Sequence, residues 1–528
     1  MGGKHASRHL KSVNLTLFVV VSSRRFRKPR TKCTSARTTV MLALSMSLCT
    51  QTHMFSPHQG FRVLRRRPPM ATPPHASTDS SEKKPLPETK KPEKLTPEAT
   101  AFLAALDTAA VTKNRLVVAQ TAPAVRVALS EEFGEPPGAF SGGQLVAALR
   151  ALGVDKVVDT NTAADLCVCE EGTELLQRLL EAEEDSEEGE EVTESSEKAV
   201  LPMFTSCCPG WIQLVEKSMP DVWPYISSCK SPHMMLGALL KRVTKDVWGG
   251  HEPEQIYLAS VMPCVRKKAE SEKPQYVTSG VRDVDEVITT RDLGALLRLK
   301  GIDPANLPPE QFDNPLGKGT GAGQLFGVTG GVMEAAVRTM YAVVTEGETL
   351  PKLELTEVRG LDGVKTVDIS LKSKKTGKGL DRVLRLAVVN GLNNAKELIK
   401  KMRDGTVELD FVEVMACPGG CIGGRGQPRS KNQKETLRLR ANAVYKLDKN
   451  ASIRQSHENP AVSNIYDTWL GPGFGSKTAK EVLHEERPRK NESGETFEPA
   501  FPVENKSGKI KEQECATCGL RYDVREEE

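Results

Sequence analysis

No apolar run among the 528 residues approaches the roughly 18 needed to cross a bilayer; the longest are Leu15 to Val21 and Val40 to Cys49. A membrane-spanning chain is therefore not expected. Asp and Glu are absent from residues 1 to 78, which hold 14 Lys or Arg, so the formal net charge of +4 conceals a body of 59 basic and 69 acidic side chains behind a basic leader. Basicity confined to one terminal segment argues against a nucleic-acid partner. Twelve cysteines are too few in so long a chain for a small disulfide scaffold. No internal repeat is visible. With 38% hydrophobic and 27% charged residues, the composition is near the globular average, which excludes wholesale disorder, collagen and coiled coil.

The leader is rich in Arg, Ser and Thr, as organelle transit peptides are. We assign residues 1 to 70 to a cleaved transit peptide, with a basic disordered arm or a secretory signal around Leu15 to Ser22 as the alternatives. Residues 71 to 98 lack hydrophobic periodicity and read as a Pro-, Ser- and Lys-rich linker, so the folded body is expected from Ala99 to Arg487. Within it, short β-branched runs alternate with helical patterns: Arg115 to Ala119, Lys156 to Asp159, Pro202 to Phe204, Ile256 to Val261, Arg385 to Val389 and Asp410 to Val414. This alternation predicts an α/β fold with largely parallel sheets. The acidic stretch 181 to 198 is expected to be a solvated loop, and 488 to 528 a polar, poorly ordered tail.

Three segments repeat one design, in which an apolar strand ends and a cysteine follows within a few residues: PMFTSCCPGW (Pro202 to Trp211), LASVMPCVRKKAE (Leu258 to Glu270) and EVMACPGGCIGGRGQP (Glu413 to Pro428). The carboxyl ends of parallel strands line the crevice where ligands bind, so all three aim thiolates at one region. Pro209 can open a helix behind Cys208, and the glycines after Cys417 let backbone approach a bulky group. Cys208, Cys264, Cys417 and Cys421 then supply the four thiolates a 4Fe-4S cluster needs. A structural zinc would show two closely spaced ligand pairs, whereas only Cys417 and Cys421 are near neighbours; zinc and inert thiols stay open at this level.

These segments resemble, in order, the three H-cluster motifs of the iron-only (FeFe) hydrogenases. GAGQLFGVTGGVMEAAVRT (Gly321 to Thr339) and SHENP (Ser456 to Pro460) are also similar to that family, most closely to its short green-algal chloroplast forms. The resemblance spans roughly Arg115 to Glu485 and implies two lobes, each with a largely parallel twisted sheet flanked by helices, and an active-site cluster in the cleft between them. The activity it implies is reversible reduction of protons to dihydrogen. The implied cofactor is a 4Fe-4S cluster joined to a di-iron subcluster with CO, cyanide and a bridging azadithiolate.

By motif position, the resemblance gives Cys208, Cys264, Cys417 and Cys421 to the cubane, with Cys421 also bridging to the di-iron unit. Lys267 would donate to a cyanide ligand, and Met262, Met415, Phe326, Ala122, Pro123, Ser231 and Pro232 would complete the pocket. By composition alone Lys267 is a surface lysine, and Met262, Met415 and Phe326 are ordinary core. Cys207 would be the proton donor, with the path continuing through Glu171, Ser227, Glu174 and Arg178. Glu171, Glu174 and Arg178 share one helix face; the plain alternative is an ion pair on a solvated helix. His233 departs from the family pattern, which has Gln there, and a titratable ring would shift the pH response.

No CxxCxxC run for accessory clusters occurs in the body, so electrons are expected to enter directly from a docked carrier. The family and leader suggest a 2Fe-2S ferredoxin in the chloroplast stroma, docking on Lys396, Lys400, Lys401 and Arg403, with maturation enzymes supplying the di-iron unit to a monomer. A solvated helix face explains the same lysines. Cys167, Cys169 and Cys229 are expected to be buried thiols, Cys33 and Cys49 to leave with the leader, and Cys515 and Cys518 to be an incidental or redox-labile pair. The rival functions are a Nar1/Narf-like iron–sulfur assembly protein and a non-catalytic hydrogen sensor.

Overall fold

The computed structural model describes residues 94–188, 200–345, 347–361, 363–371, 382–488, 497, 500–501, 512–514 and 521–523. The proposed transit peptide, all but the last residues of the linker, the end of the acidic stretch, and Cys33, Cys49, Cys515 and Cys518 lie outside the described residues.

The alternation of short apolar runs and helices folds as an α/β body with two four-stranded sheets. The first contains β1 (Leu116–Thr121), β2 (Lys156–Asp159) and β4 (Ile256–Met262), together with β7 (Glu286–Thr289), in the order β2-β1-β4-β7, all parallel. The second contains β3 (Met203–Phe204), β8 (Val364–Leu371), β9 (Arg382–Asn390) and β10 (Phe411–Met415), in the order β3-β10-β9-β8. Its first three strands are parallel, and β8 closes the edge antiparallel to β9. A small hairpin of β5 (Val277–Thr278) and β6 (Val281–Arg282) precedes β7, and β11 (Glu512–Glu514) pairs with β12 (Arg521–Asp523).

Burial on both faces explains why the central strands read as continuous apolar runs. In β9, Leu384, Leu386 and Val388 enter one core while Ala387 and Val389 enter the core on the opposite face. β8 escaped the sequence reading because it alternates exposed and buried positions at an edge, with Lys365 and Asp368 breaking the apolar pattern. Glu413 is the exception inside β10. It is fully buried and accepts backbone hydrogen bonds from Gly330 and Met333 at 2.7 Å, at the start of the helix Gly331–Val344. Those amides and the helix dipole compensate the carboxylate, although burial still pushes its pKa up to about 7.

Three expectations need correction. The body begins before Ala99: Thr96 caps a helix Pro97–Thr112, its side chain accepting from the Ala99 N–H, so the Pro-rich linker ends in a helix start. The acidic stretch is not all loop, because the helix Asn161–Glu188 runs eight residues into it. Its Glu-rich sequence has good helix propensity and extends a helix already nucleated by buried residues. The tail is not uniformly polar and loose either. Phe501 is buried, stacks on Phe204 at 5.9 Å and meets Tyr225 edge-on at 4.8 Å.

No described helix is long and apolar enough to cross a membrane.

Candidate active site

β3, β4 and β10 end beside one another in function though they belong to two sheets. The residues following each strand, with those following β1, line one common cavity of about 80 Å³. Cys208, Cys264, Cys417 and Cys421 all line it, and so do Cys207, Lys267, Met262, Met415, Phe326, Ala122, Pro123, Pro232 and His233. Ser231 stands just outside, capping the helix Pro232–Arg242 by position while its buried hydroxyl finds no partner.

The local sequence builds this convergence. Cys208 is the extended N-cap residue of the helix Pro209–Ser218, with Pro209 in the first turn, and its sulfur accepts a hydrogen bond from the Ala416 N–H at 3.4 Å. The loop after Cys417 must lie against β4: a Cβ on Gly424 would sit 2.2 Å from the Pro263 carbonyl oxygen. Gly420 combines φ of +82° with a tight approach, since a Cβ there would sit 2.5 Å from the Thr329 backbone nitrogen, so only glycine fits.

The four thiols fit an iron–sulfur cluster on their own chemistry. Burial pushes the Cys417 thiol up to about 11, with Cys208 and Cys264 adding repulsion, and raises Cys421 further for the same reasons. Four half-buried thiols lining one cavity are unfavourable as thiolates unless a cation binds them. The Ala416 amide on Cys208 is the type of hydrogen bond that tunes cluster sulfur.

Lys267 is buried, not a surface lysine. Its ammonium donates to the Cys207 carbonyl oxygen at 3.0 Å and pairs with Glu270 at 2.8 Å. The same Glu270 oxygen meets His233 Nε2 at 2.8 Å. Burial would raise Glu270, but Lys267 and His233 hold it down at about 2. Burial, then Lys267, lowers His233, which favours the neutral ring, and Nε2 keeps its hydrogen bond to Glu270. Glu270 was missed in the sequence, where its only signal is the i, i+3 spacing from Lys267.

A second group of residues leads away from Cys207. Glu171 is fully buried on the helix Asn161–Glu188; its Oε1 accepts from the Ser206 N–H at 3.4 Å while Oε2 has no partner. Burial, with Glu174 adding to it, pushes Glu171 up to about 8. Ser227 Oγ donates to Glu174 Oε2 at 2.9 Å. Arg178 donates to Glu174 Oε1 at 2.7 Å and to the carbonyls of Val200, Pro224 and Ile226. Burial would raise Glu174, but Arg178 and His484 outweigh it and keep the carboxylate ionised. The ion pair therefore sits on an interior face, not on a solvated helix.

Burial of Cys167, Cys169 and Cys229 matches the sequence reading. SHENP serves the fold: Ser456 Oγ and Asn459 Nδ2 both donate to the buried Asp165 carboxylate, at 2.7 and 2.9 Å. Lys396, Lys400, Lys401 and Arg403 are exposed on the helix Leu392–Arg403, away from the cavity lining, and Arg403 is tied to Asp221. Missed altogether was His484, which meets Ser228 Oγ at 2.7 Å and Glu170 Oε2 at 2.8 Å.

A family model described as the iron-only hydrogenase large subunit, C-terminal domain, matches residues 115–425, and one described as the iron hydrogenase small subunit matches residues 434–486. The NADP-reducing hydrogenase subunit HndD of Solidesulfovibrio fructosivorans is 44% identical over 371 residues, covering 70% of this chain and 60% of that protein. Iron hydrogenase 1 of Clostridium pasteurianum is 37% identical with the same coverage, so the chain spans 60% of the length of these two relatives. Protein NAR1 of Arabidopsis thaliana is 31% identical over 71% of this chain and 78% of that protein. Among solved structures, a variant of the FeFe-hydrogenase HydA1 from Chlamydomonas reinhardtii is 43% identical with a TM-score of 0.63, covering 74% of this chain and 98% of that one. Fold, cysteine pattern and these matches agree: the chain belongs to the iron-only hydrogenase family.

Proposed function

We propose that the protein is a ferredoxin-dependent hydrogenase that reversibly reduces protons to dihydrogen in the chloroplast stroma. The observation that carries this reading is the mixed lining of one cavity, where Cys208, Cys264, Cys417 and Cys421 occur together with Met262, Met415, Phe326, Pro123 and Pro232 and the cation Lys267. A cubane held by the four cysteines would account for the thiol part of that lining. The apolar part with Lys267 suits a di-iron unit with CO, cyanide and azadithiolate ligands, inserted by maturation enzymes, which supplies the metal site where protons and electrons combine.

The chain's own residues would do the rest. The apolar walls exclude water, and Lys267, held by Glu270, offers its ammonium to an anionic ligand in a dry site. Cys207 and Cys208 are neighbours in extended backbone, so their side chains diverge: one thiol serves the cluster and the other is free to exchange a proton. Behind Cys207, protons would move by way of the Glu171 carboxyl and Ser227 Oγ to Glu174 Oε2, with Arg178 orienting the outer carboxylate. The exposed cations Lys396, Lys400 and Lys401 support docking of an acidic 2Fe-2S ferredoxin, and the acid-free leader supports plastid import.

The NAR1-like relatives support a second reading, an assembly factor without the di-iron unit. Infrared spectroscopy after expression with maturation enzymes separates the two. CO and cyanide stretches together with hydrogen evolution support the hydrogenase, whereas a cubane with no such bands after maturation supports the assembly factor.

A further inference from the structure

At the outer end of the proposed proton route, three side chains from three separate segments meet. Glu174 comes from the long helix, Cys229 from the extended segment after Ser228, and His484 from the end of the helix Lys477–Leu483. One donor atom from each lies within 4.8 Å of the others. The Cys229 sulfur is 3.9 Å from His484 Nδ1. A tetrahedron with metal–sulfur and metal–nitrogen bonds of about 2.3 and 2.0 Å has an S···N edge of about 3.5 Å, so the thiol and imidazole are within a few tenths of an ångström of coordinating separation.

The surroundings fit a ligand set. His484 Nε2 meets the buried Glu170 carboxylate at 2.8 Å, and Glu170 is itself fixed by the Gly475 N–H at 3.0 Å and by the Tyr466 hydroxyl. A proton on Nε2 makes Nδ1 an acceptor, which the Ser228 hydroxyl occupies at 2.7 Å with the Cys229 sulfur 3.9 Å from both ring nitrogens; an ion at Nδ1 would displace that hydroxyl, and a carboxylate behind a histidine is the partner that metal-binding histidines commonly have. Glu174 is divided in the same sense. Arg178 donates to Oε1, Oε2 accepts from the hydroxyls of Ser227 and Ser228, and the Ser228 N–H reaches both oxygens, so an ion at Oε2 would take the place of serine hydroxyls and leave the arginine pair intact. The backbone holds the geometry: Cys229 and His484 form an antiparallel bridge, flanked by hydrogen bonds from Lys230 N to Leu483 O and from Glu485 N to Ser228 O, both at 2.8 Å. With a divalent ion bound, the carboxylates of Glu170 and Glu174 and a Cys229 thiolate balance the ion and Arg178.

We propose that Glu174, Cys229 and His484 form a second metal site, distinct from the cluster cysteines, for a divalent ion of the zinc class, with water in the fourth position. One sulfur, one nitrogen and one carboxylate suit zinc better than magnesium or calcium, which prefer oxygen alone. On the proton route proposed above, a bound ion occupies Glu174 Oε2 and removes it from Ser227, so metal binding shuts off proton delivery.

Binding is tested without turnover. Full-length chain loaded with its cubane is titrated with zinc chloride, bound zinc is counted, and zinc-edge X-ray absorption reads the ligands. The expected result is one zinc with a single sulfur and otherwise nitrogen and oxygen neighbours. It should be lost in His484→Ala and in Cys229→Ser, and weakened about 10–100-fold in Glu170→Gln, with cubane absorbance retained throughout. Zinc bound to sulfur only, or bound equally well by His484→Ala and Cys229→Ser, overturns the proposal. In matured protein, dye-driven hydrogen evolution should fall with zinc and recover with chelator, while His484→Ala resists. Zinc bound as described but without effect on turnover would uphold the metal site and reject the proton route through Glu174.

Discussion

Lys267 donates a hydrogen bond to the backbone oxygen of Cys207 at 3.0 Å, joining residues 60 positions apart that follow different strands in different sheets. The contact fixes the Cys207-Cys208 pair against the β4 segment and brings the buried ammonium to the cavity wall. The neighbouring cysteines thereby acquire different surroundings, and this makes the sharpest test possible.

Cys207→Ala should retain the cubane and, after maturation, the CO and cyanide bands, while hydrogen evolution falls by about 10²–10⁴-fold. Cys208→Ala should lose iron. Cys207→Asp should recover part of the activity, because a carboxyl group can exchange protons where a methyl cannot. Normal turnover in Cys207→Ala would reject its role.

The raised Glu171 makes a prediction about pH and stability. Its folded value of about 8 lies above the ordinary glutamate value of 4.5, so the folded state binds the extra proton between these values. Its contribution is complete at the lower end of that window and is lost as pH rises towards 8. Glu171→Gln, which cannot titrate, should therefore flatten the fall in thermal midpoint between pH 5 and 8 relative to the parent. The same substitution should slow hydrogen evolution without metal loss. Parallel melting curves for the two proteins across that range would contradict the buried, protonated carboxyl.

Iron content distinguishes the parts of the cavity. Without maturation enzymes the chain should hold one cubane, and with them two further irons, measured by iron per chain and infrared bands. Cys417→Ala should remove the cubane and all activity, since an iron left with three thiolates is easily lost.

If the exposed helix Leu392–Arg403 docks ferredoxin, replacing Lys396 and Lys400 by Glu should slow ferredoxin-driven turnover and flatten its salt dependence. Dye-driven turnover should be unchanged. Equal loss with both donors would indicate damage to the fold.

Phe501→Ala should destabilise the body by about 3 kcal/mol, the low end for removing a buried phenyl group, because the chain end can settle into part of the space. Chemical denaturation of the cubane-loaded protein measures the shift. An unchanged midpoint would mean that the stack on Phe204 and Tyr225 adds nothing.

The amino-acid sequence by itself determined the strands that carry Cys208, Cys264 and Cys417, because parallel strands buried on both faces must be short β-branched runs and the cysteines follow them directly. It also determined the family, through long motifs in register. Only the tertiary structure decided which charges share an interior. Glu270 bridges Lys267 and His233, Glu171 and Glu174 face inward from a helix that could equally have been solvated, and Asp165 collects the polar ends of SHENP from 291 and 294 residues away. His484 gave no local signal, since its partners Ser228 and Glu170 lie 256 and 314 residues upstream. Periodicity reports which face of an element is apolar. A buried polar group is stabilised by partners from other segments, and those pairings arise only when the elements pack.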